Sequence, residues 1–436
     1  MAGGTFITQN KVRPGVYVNF RSAPSAVGQA SDRGICCLPI ALPFGKEKEL
    51  IPVTTESDFP GLFGAPLSDD RMLLIREVLK QAETCIVYRL NTGEKAAASG
   101  GGLEMSARYS GTAGNELTVS VALGTDQLYT VRTYWKGELK AECRAADAAA
   151  VEDNDFVIFA GSGSLSVSSG IALRGGTDGD ATVKDYSDFM GAISLCEFHT
   201  AAFPVQEEEI LSAAVSFVRR MRENEGKKCQ VVLATDGKPD YEGVVTVKNG
   251  VVLEDGTTLA PQAATAFVAG ALAGAQINES LTYRPYDGAV KAAPNYTNSQ
   301  IESFLEEGYF VFTESGDRVV CEQDINSFTG FTPEKGKVFR KNRVIRVLDH
   351  IGNDLRSIFQ TNYLGKISNN DTGRALFKAE CIRYLETLEE MQAVTGFVPD
   401  EDIAVVRGAD SENVVVNLYV QPVDSMERLY LSVEVS

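Results

Sequence analysis

The chain has 436 residues, enough for two to four domains that each bury their own core. Hydrophobic residues make up 44% and charged residues 23%, an ordinary globular balance that excludes a disordered or fibrous chain. The formal charge of −18 argues against binding a phosphate backbone over the whole surface, so any basic docking patch must be local.

The first residues, "MAGGTFITQNKVRPG", have neither the basic start nor the apolar run of a secretory signal, so synthesis and assembly in the cytoplasm are expected. "RPGVYVNF" (13–20) alternates Val16, Val18 and Phe20 against Tyr17 and Asn19, the period of an early strand. The small and polar "RSAPSAVGQASD" that follows reads as a flexible stretch before the core. "RGICCLPI" (33–40) is a continuous apolar run, as expected of a strand buried on both faces. "SDDRMLLIREVLKQAE" predicts a helix capped by Ser68 or Asp69, with Met72, Ile75, Leu79 and Ala82 on one face. "CIVYRL" (85–90) is a strand again, and strand, helix, strand begins an α/β sheet.

At "GEKAAASGGG" (93–102), read as a small-residue linker, the pattern stops. "ELTVSVAL", "LYTVRTYW" and "DFVIFAG" are short strands without a helical period, which predicts an inserted antiparallel β domain closing at "LRGGTDGD". Alternation resumes with a helix near 183–194, the strand "EFHTAAFP", and a helix with Glu207 to Glu209 in its first turn and Gly226 past its end. "CQVVLAT" is the next strand. The apolar stretch Ala263 to Ile277 is about 15 residues against the roughly 20 that span a bilayer, so it reads as a buried helix. Its Gly270 and Gly274 suit close helix packing. "GYFVFTE" (308–314) is a further strand, and the two α/β blocks are expected to form one sheet interrupted by the insertion.

The last hundred residues change character. Val344, Val347, Ile351, Leu355, Ile358 and Phe359 recur at helical spacing, and a second such helix ends at Gly396. "NVVVNLYVQP" and "MERLYLSVEVS" finish the chain as a hairpin or as two separate sheet strands. In the second, Leu429, Leu431, Val433 and Val435 alternate with Tyr430, Ser432 and Glu434. An apolar strand with nothing after it is an aggregation hazard unless a sheet takes it up.

Residues able to support catalysis are sparse. Eight cysteines show no CxxC and lie mostly in apolar runs; Cys36 and Cys37 face opposite ways in a strand, reading as reduced thiols with a vicinal disulfide as the alternative. Only His199 and His350 could serve as a base, and adjacent Asp349 and His350 point about 100° apart on a helix. "GGTDGD" lacks the Lys and Ser/Thr of a phosphate loop and the carboxylates of a calcium loop, leaving Asp178 and Asp180 as turn formers. The expectation is no enzyme, no catalytic residue, no cofactor and no metal. One basic segment stands out, with Lys335, Lys337, Arg340, Lys341, Arg343 and Arg346 close together. It is either a solvated loop entering a helix or a docking patch for an acidic partner.

Taken in order, "RPGVYVNF", "VLKQAETCIVYRLNTG", "ARYSGTAGNELTVSV", "LRGGTDG", "VAGALAGAQINESLTYRPYDGA", "EQDINSF" and "RVIRVLDHIGNDLRSIFQTNYLGKISN" resemble the tail sheath family of contractile phage tails and related injection devices. The likeness runs over essentially the whole chain. It implies an α/β core with flanking helices (33–95 and 181–332), an inserted β domain (96–180), an arm and hinge (1–32) and an α+β C-terminal domain ending in an arm strand (333–436). It implies stacked rings of this chain forming a helical sheath around an inner tail tube, with baseplate and tail terminator partners, in a virion or phage-tail-like particle. No direct nucleic-acid contact and no membrane insertion are expected. The arm strands would be Val16, Tyr17, Val18 and Phe20 with Leu429, Tyr430, Leu431, Val433 and Val435, and the receiving strand Val414, Val416, Leu418 and Val420. The basic residues Lys335 to Arg346 or the helix from Arg374 would touch the tube. Competing expectations are an α/β enzyme without a recognisable site, or another self-assembling shell or surface-lattice protein.

Overall fold

The computed structural model describes residues 2–4, 15–17 and 33–435, and only the backbone of the first two stretches. The described residues divide into two compact units, 33–353 with 422–435, and 354–421 with the two short N-terminal stretches.

The larger unit is built on a seven-stranded sheet. Its spatial order is Tyr309–Phe310, Val244–Val247, Gln230–Leu233, Thr200–Ala202, Ile35–Ile40, Thr84–Arg89 and Leu50–Val53. Every neighbouring pair is parallel except the last. Strands from before and after the insertion therefore pair directly, Cys36 with Thr200 and Cys37 with Ala201. Both faces are covered, as continuous apolar strands require. Cys36 belongs to the core formed with the helices Leu73–Leu79 and Pro261–Gly274, Cys37 to the one formed with Val183–Ile193 and Glu208–Glu223. All eight cysteines are free thiols.

The expected helix over 68–83 is shorter: a 3₁₀ turn, Asp70–Met72, precedes the α-helix Leu73–Leu79. Asp69 caps that turn, its carboxylate accepting from the Arg71 amide at 3.0 Å. The buried helix Pro261–Gly274 packs on it through Gly270 and Gly274. A Cβ at Gly270 would stand 2.3 Å from the Val78 carbonyl oxygen and one at Gly274 1.9 Å from that of Gln81, so only hydrogen fits.

The insertion has its own two antiparallel sheets, one of four strands (Leu117–Leu123, Tyr129–Trp135, Glu138–Ala145, Ser168–Ala172) and one of three (Ala97–Gly100, Leu103–Ala107, Val157–Ala160). The 93–102 segment is not a linker. Ala97–Gly100 pairs with Leu103–Ala107, because the two positive-φ glycines Gly101 and Gly102 turn the chain back into a hairpin. The junction with the main sheet is tight. Fully buried Arg89 donates to the Gly45 carbonyl at 2.7 Å and Ser110 Oγ at 3.1 Å, and Asn91 Nδ2 donates to the carbonyls of Leu42 and Asp178. Asp178 accepts from the Thr112 amide at 2.6 Å, so the Gly-rich stretch is a docking seam between backbones.

Two regions depart further from expectation. "GYFVFTE" breaks at Val311: Tyr309–Phe310 joins the main sheet, while Phe312–Ser315 forms a hairpin with Arg318–Cys321. The β-branched run 244–253 supplies two strands that the reading passed over, Val244–Val247 in the main sheet and Gly250–Leu253 in a separate small one.

In the smaller unit, the second part of the helix Asn342–Asn362 and the helix Asp371–Glu390 bury Tyr384, Leu385 and Leu388, with Tyr384 Oη donating to Asp354 Oδ2 at 2.9 Å. The strand Val414–Leu418 pairs antiparallel with Ile403–Arg407, Val405 opposite Val416.

Candidate functional site

The residues expected to form arm strands, a receiving strand and a docking patch lie in the strand near the start of the chain, the C-terminal segment, the strand pair of the smaller unit and the basic stretch before the long helix. The C-terminal segment is not one half of a hairpin with "NVVVNLYVQP". Residues 423–435 take part in no strand among the described residues, and Leu429, Tyr430, Leu431, Val433 and Val435 are 87%, 87%, 77%, 72% and 91% exposed. In this structure the alternating apolar face of Leu429, Leu431, Val433 and Val435 is exposed, and the segment has no strand partner among the described residues.

The root of this segment is held. Glu427 accepts hydrogen bonds from Thr282 Oγ1 at 2.9 Å, Gln323 Nε2 at 2.6 Å and Ser425 Oγ at 3.2 Å, and pairs with Lys341 Nζ. Burial on its own would raise the Glu427 carboxyl pKa; the Lys341 and Gln323 donors outweigh it and hold the group below the usual carboxylate range.

The two-stranded sheet in the smaller unit has a covered and an open face. Ile403 and Val405 with Val414, Val416 and Leu418 are buried or half-buried, and Ile403–Arg407 packs on the helix Asp371–Glu390. Val406, Val415 and Tyr419 are exposed on the other. The hairpin turn is fixed by Asn369, whose Nδ2 donates to the carbonyls of Ser411 and Asn413 at 2.8 and 2.9 Å. With two strands only, each keeps an outer edge unpaired among the described residues. Val420 follows the strand end and is half-buried. Near the start of the chain, Ala2–Gly4 pairs parallel with Gly15–Tyr17, so Val16 and Tyr17 lie on a strand; Val18 and Phe20 lie outside the described residues.

Most of the basic segment is drawn into its own subunit. Lys335 pairs with Glu242 at 2.6 Å, Lys341 with Glu427, and Arg346 donates to the Glu279 carbonyl at 2.6 Å with Asp324 at 3.5 Å. Burial lowers the Arg340 and Arg346 pKa values, and Asp324 offsets part of this for Arg346. Arg343 is half-buried and Lys337 exposed. The helix from Arg374 starts with Arg374 paired to Asp371.

The groups that an enzyme reading would use are occupied structurally. The Asp349 carboxylate forms a bidentate pair with Arg222, Nη1 to Oδ2 2.6 Å and Nη2 to Oδ1 2.7 Å. Burial disfavours the charged Arg222, yet Asp349 and Glu242 more than compensate and raise its pKa. His199 Nδ1 accepts from the Ile35 amide at 3.2 Å. Burial pushes the Cys36 thiol up to about 12. Among the described residues no cluster of three His, Cys, Asp or Glu side chains could hold a metal ion, and no helix is long and apolar enough to cross a membrane.

Sequence reasoning passed over the strand Ile403–Arg407 and the hydrogen-bond cluster at Glu427. The β-branched "IAVVR" before "GADSEN" was a usable strand signal; Glu427 had none, because its partners Thr282, Gln323 and Lys341 are distant in sequence.

Three family profiles match the chain in order: the Tail sheath protein Gp18 domain III N-terminal region over 33–90, the Phage tail sheath protein central domain over 179–327 and the Phage tail sheath C-terminal domain over 334–436. The chain belongs to the phage tail sheath family. The Phage-like element PBSX protein XkdK of Bacillus subtilis (strain 168) is 36% identical over all of both chains. The crystal structure of the sheath tail protein from Desulfitobacterium hafniense superposes with a TM-score of 0.87 at 43% identity, covering 96% of this chain and 99% of that one. The helical sheath of the anti-feeding prophage in its contracted state shares the fold at a TM-score of 0.60 and 14% identity, covering 97% of this chain and 98% of that one. This sheath family is structural, and its members known from such assemblies are parts of phage tails and tail-like particles.

Proposed function

We propose that this chain is the repeating subunit of a contractile tail sheath. It polymerises as stacked rings around an inner tail tube and shortens to drive that tube through a target envelope. Neighbouring subunits are tied by strand exchange: Leu429 to Val435, and the N-terminal strand with Val16 and Tyr17, add to the open edges of the Ile403–Arg407 and Val414–Leu418 sheet in other subunits. The carrying observation is the exposed alternating segment Leu429 to Val435, without a strand partner among the described residues, in a chain that also carries a two-stranded sheet with two open edges. Strand addition takes affinity from main-chain hydrogen bonds and register from alternate side chains. A contact that repeats without closing builds a helical polymer. Baseplate and terminator proteins would bound the polymer at its ends, in a virion or phage-tail-like particle.

The test is electron microscopy of the purified chain at rising concentration, beside a chain lacking residues 428–436. Hollow cylinders of uniform width from the full chain, and folded but unassembled subunits from the shortened one, are expected. Flat arrays would favour a surface lattice, and unchanged cylinders after deletion would refute arm exchange.

A further inference from the structure

The C-terminal segment passes from anchored to free within two residues. The Glu427 side chain is 11% exposed, while Met426 before it and Leu429 after it are 104% and 87% exposed. The three groups that grip Glu427 from elsewhere in the chain come from separate places and are themselves fixed. Thr282 Oγ1 donates to Glu427 while accepting from the Asp324 amide at 3.0 Å. Gln323 follows the strand Arg318–Cys321. Lys341 bridges to Ile325 through the backbone just ahead of the helix Asn342–Asn362. A surface carboxylate seldom gathers this many donors, and charge-assisted hydrogen bonds are the strong ones. Beside it lies an open groove of about 880 Å³, lined by Leu305, Glu306, Ile325, Arg340, Met426 and Leu429, with room for the chain beyond Glu427 to swing.

We infer that Glu427 is the positioning residue of the C-terminal arm. This rests on the arm-exchange reading above. Glu427 sets the point where the arm leaves its subunit, so the pivot is Arg428 and Leu429. A pull arriving along the arm is passed to the core at Glu427. If that grip is lost, residues 422–427 can be drawn out, adding roughly 20 Å of slack at about 3.3 Å per residue. That is about three of the two-residue steps, roughly 6.6 Å each, by which a strand can slip while keeping its faces, so an arm could reach its receiving sheet in more than one register. The grip thus makes every inter-subunit link the same length.

The experiment compares the full chain with Glu427→Ala, Glu427→Gln and the charge exchange Glu427→Lys with Lys341→Glu. In unassembled subunits, backbone amide order parameters over 423–427 should fall from about 0.85 to below about 0.6 in Glu427→Ala, with 429–435 already low in every variant. Assembled Glu427→Ala should give cylinders of irregular width. Glu427→Gln, which keeps the Thr282 hydrogen bond without the charge, should fall between, and so should the charge exchange, which restores the ion pair without an acceptor for Thr282 Oγ1 and Gln323 Nε2. Wild-type order parameters and uniform cylinders in Glu427→Ala overturn the inference. The chain lacking 428–436 separates the two ideas. If it fails to assemble while Glu427→Ala is wild-type, arm exchange stands and the grip does not; if it assembles unchanged, both fail.

Discussion

Replacing Asp349 by Asn should be among the most damaging single changes in the core, although one oxygen merely becomes an amide. Arg222 and Asp349 are 5% and 10% exposed in their side chains and meet through two hydrogen bonds of 2.6 and 2.7 Å. With an effective dielectric of about 20, opposite charges 4 Å apart attract by about 4 kcal/mol. Breaking a buried pair by removing one charge costs about 3–5 kcal/mol, because the other is left without compensation. Glu242 stands 4.0 Å from Arg222 but is already engaged by Lys335 at 2.6 Å, so it softens the loss without replacing Asp349. For a urea slope of roughly 3 kcal/mol per molar, the midpoint should fall by about 1 M. The assay is urea unfolding followed by circular dichroism, with hydrogen exchange over 208–223 and 342–353 to place the change. Arg222→Met combined with Asp349→Leu should regain most of the lost stability. A loss below about 1 kcal/mol in Asp349→Asn, or a double variant as weak as the sum of the single ones, would refute the reasoning.

Gly274→Val should destabilise by about 1–3 kcal/mol, read as a lower melting temperature, since a Cβ there meets the Gln81 carbonyl at 1.9 Å and the two helices must part. Acid should loosen the arm root. With its folded pKa depressed, the Glu427 carboxyl adds stability that is complete above its unfolded value and is lost as pH falls through the folded one. Lys341 faces it as a cation and Asp424 as a second acid 3.9 Å from Lys341, so a fall of backbone order parameters over 423–427 in acid, absent from Glu427→Gln, is the expected signature. A thiol reagent at mild alkaline pH should modify Cys143 and Cys196 first and the six buried cysteines only after unfolding. Burial pushes Cys229 and Cys381, like Cys36, up to about 12, and fast reaction of any of these would contradict that packing.

Patterns that repeat locally were readable. The apolar run 33–40 could only be a strand covered on both faces, since alternation would have left polar groups on one of them, and Ile35–Ile40 sits near the middle of the main sheet. Gly270 and Gly274 announced a close approach because a missing side chain one turn apart has few other uses. The sheath resemblance rested on motifs in order and agrees with the family matches. The alternation of Leu429 to Val435 was equally plain, but alternation says that a strand needs a partner, not where the partner is.

Long-range pairing was decided by the tertiary structure. "GEKAAASGGG" has the composition of a linker, yet Ala97–Gly100 is a strand because Leu103–Ala107 offers it an edge. Six cations in a row of twelve positions resembled a docking patch, but Glu242, Asp324, Glu279 and Glu427 come from elsewhere in the chain to meet Lys335, Arg346 and Lys341. A sequence displays charge and periodicity, which depend on neighbours along the chain. Pairing between distant residues depends on which backbone edges and carboxylates the fold brings within about 3 Å, and that is fixed only when the whole core closes.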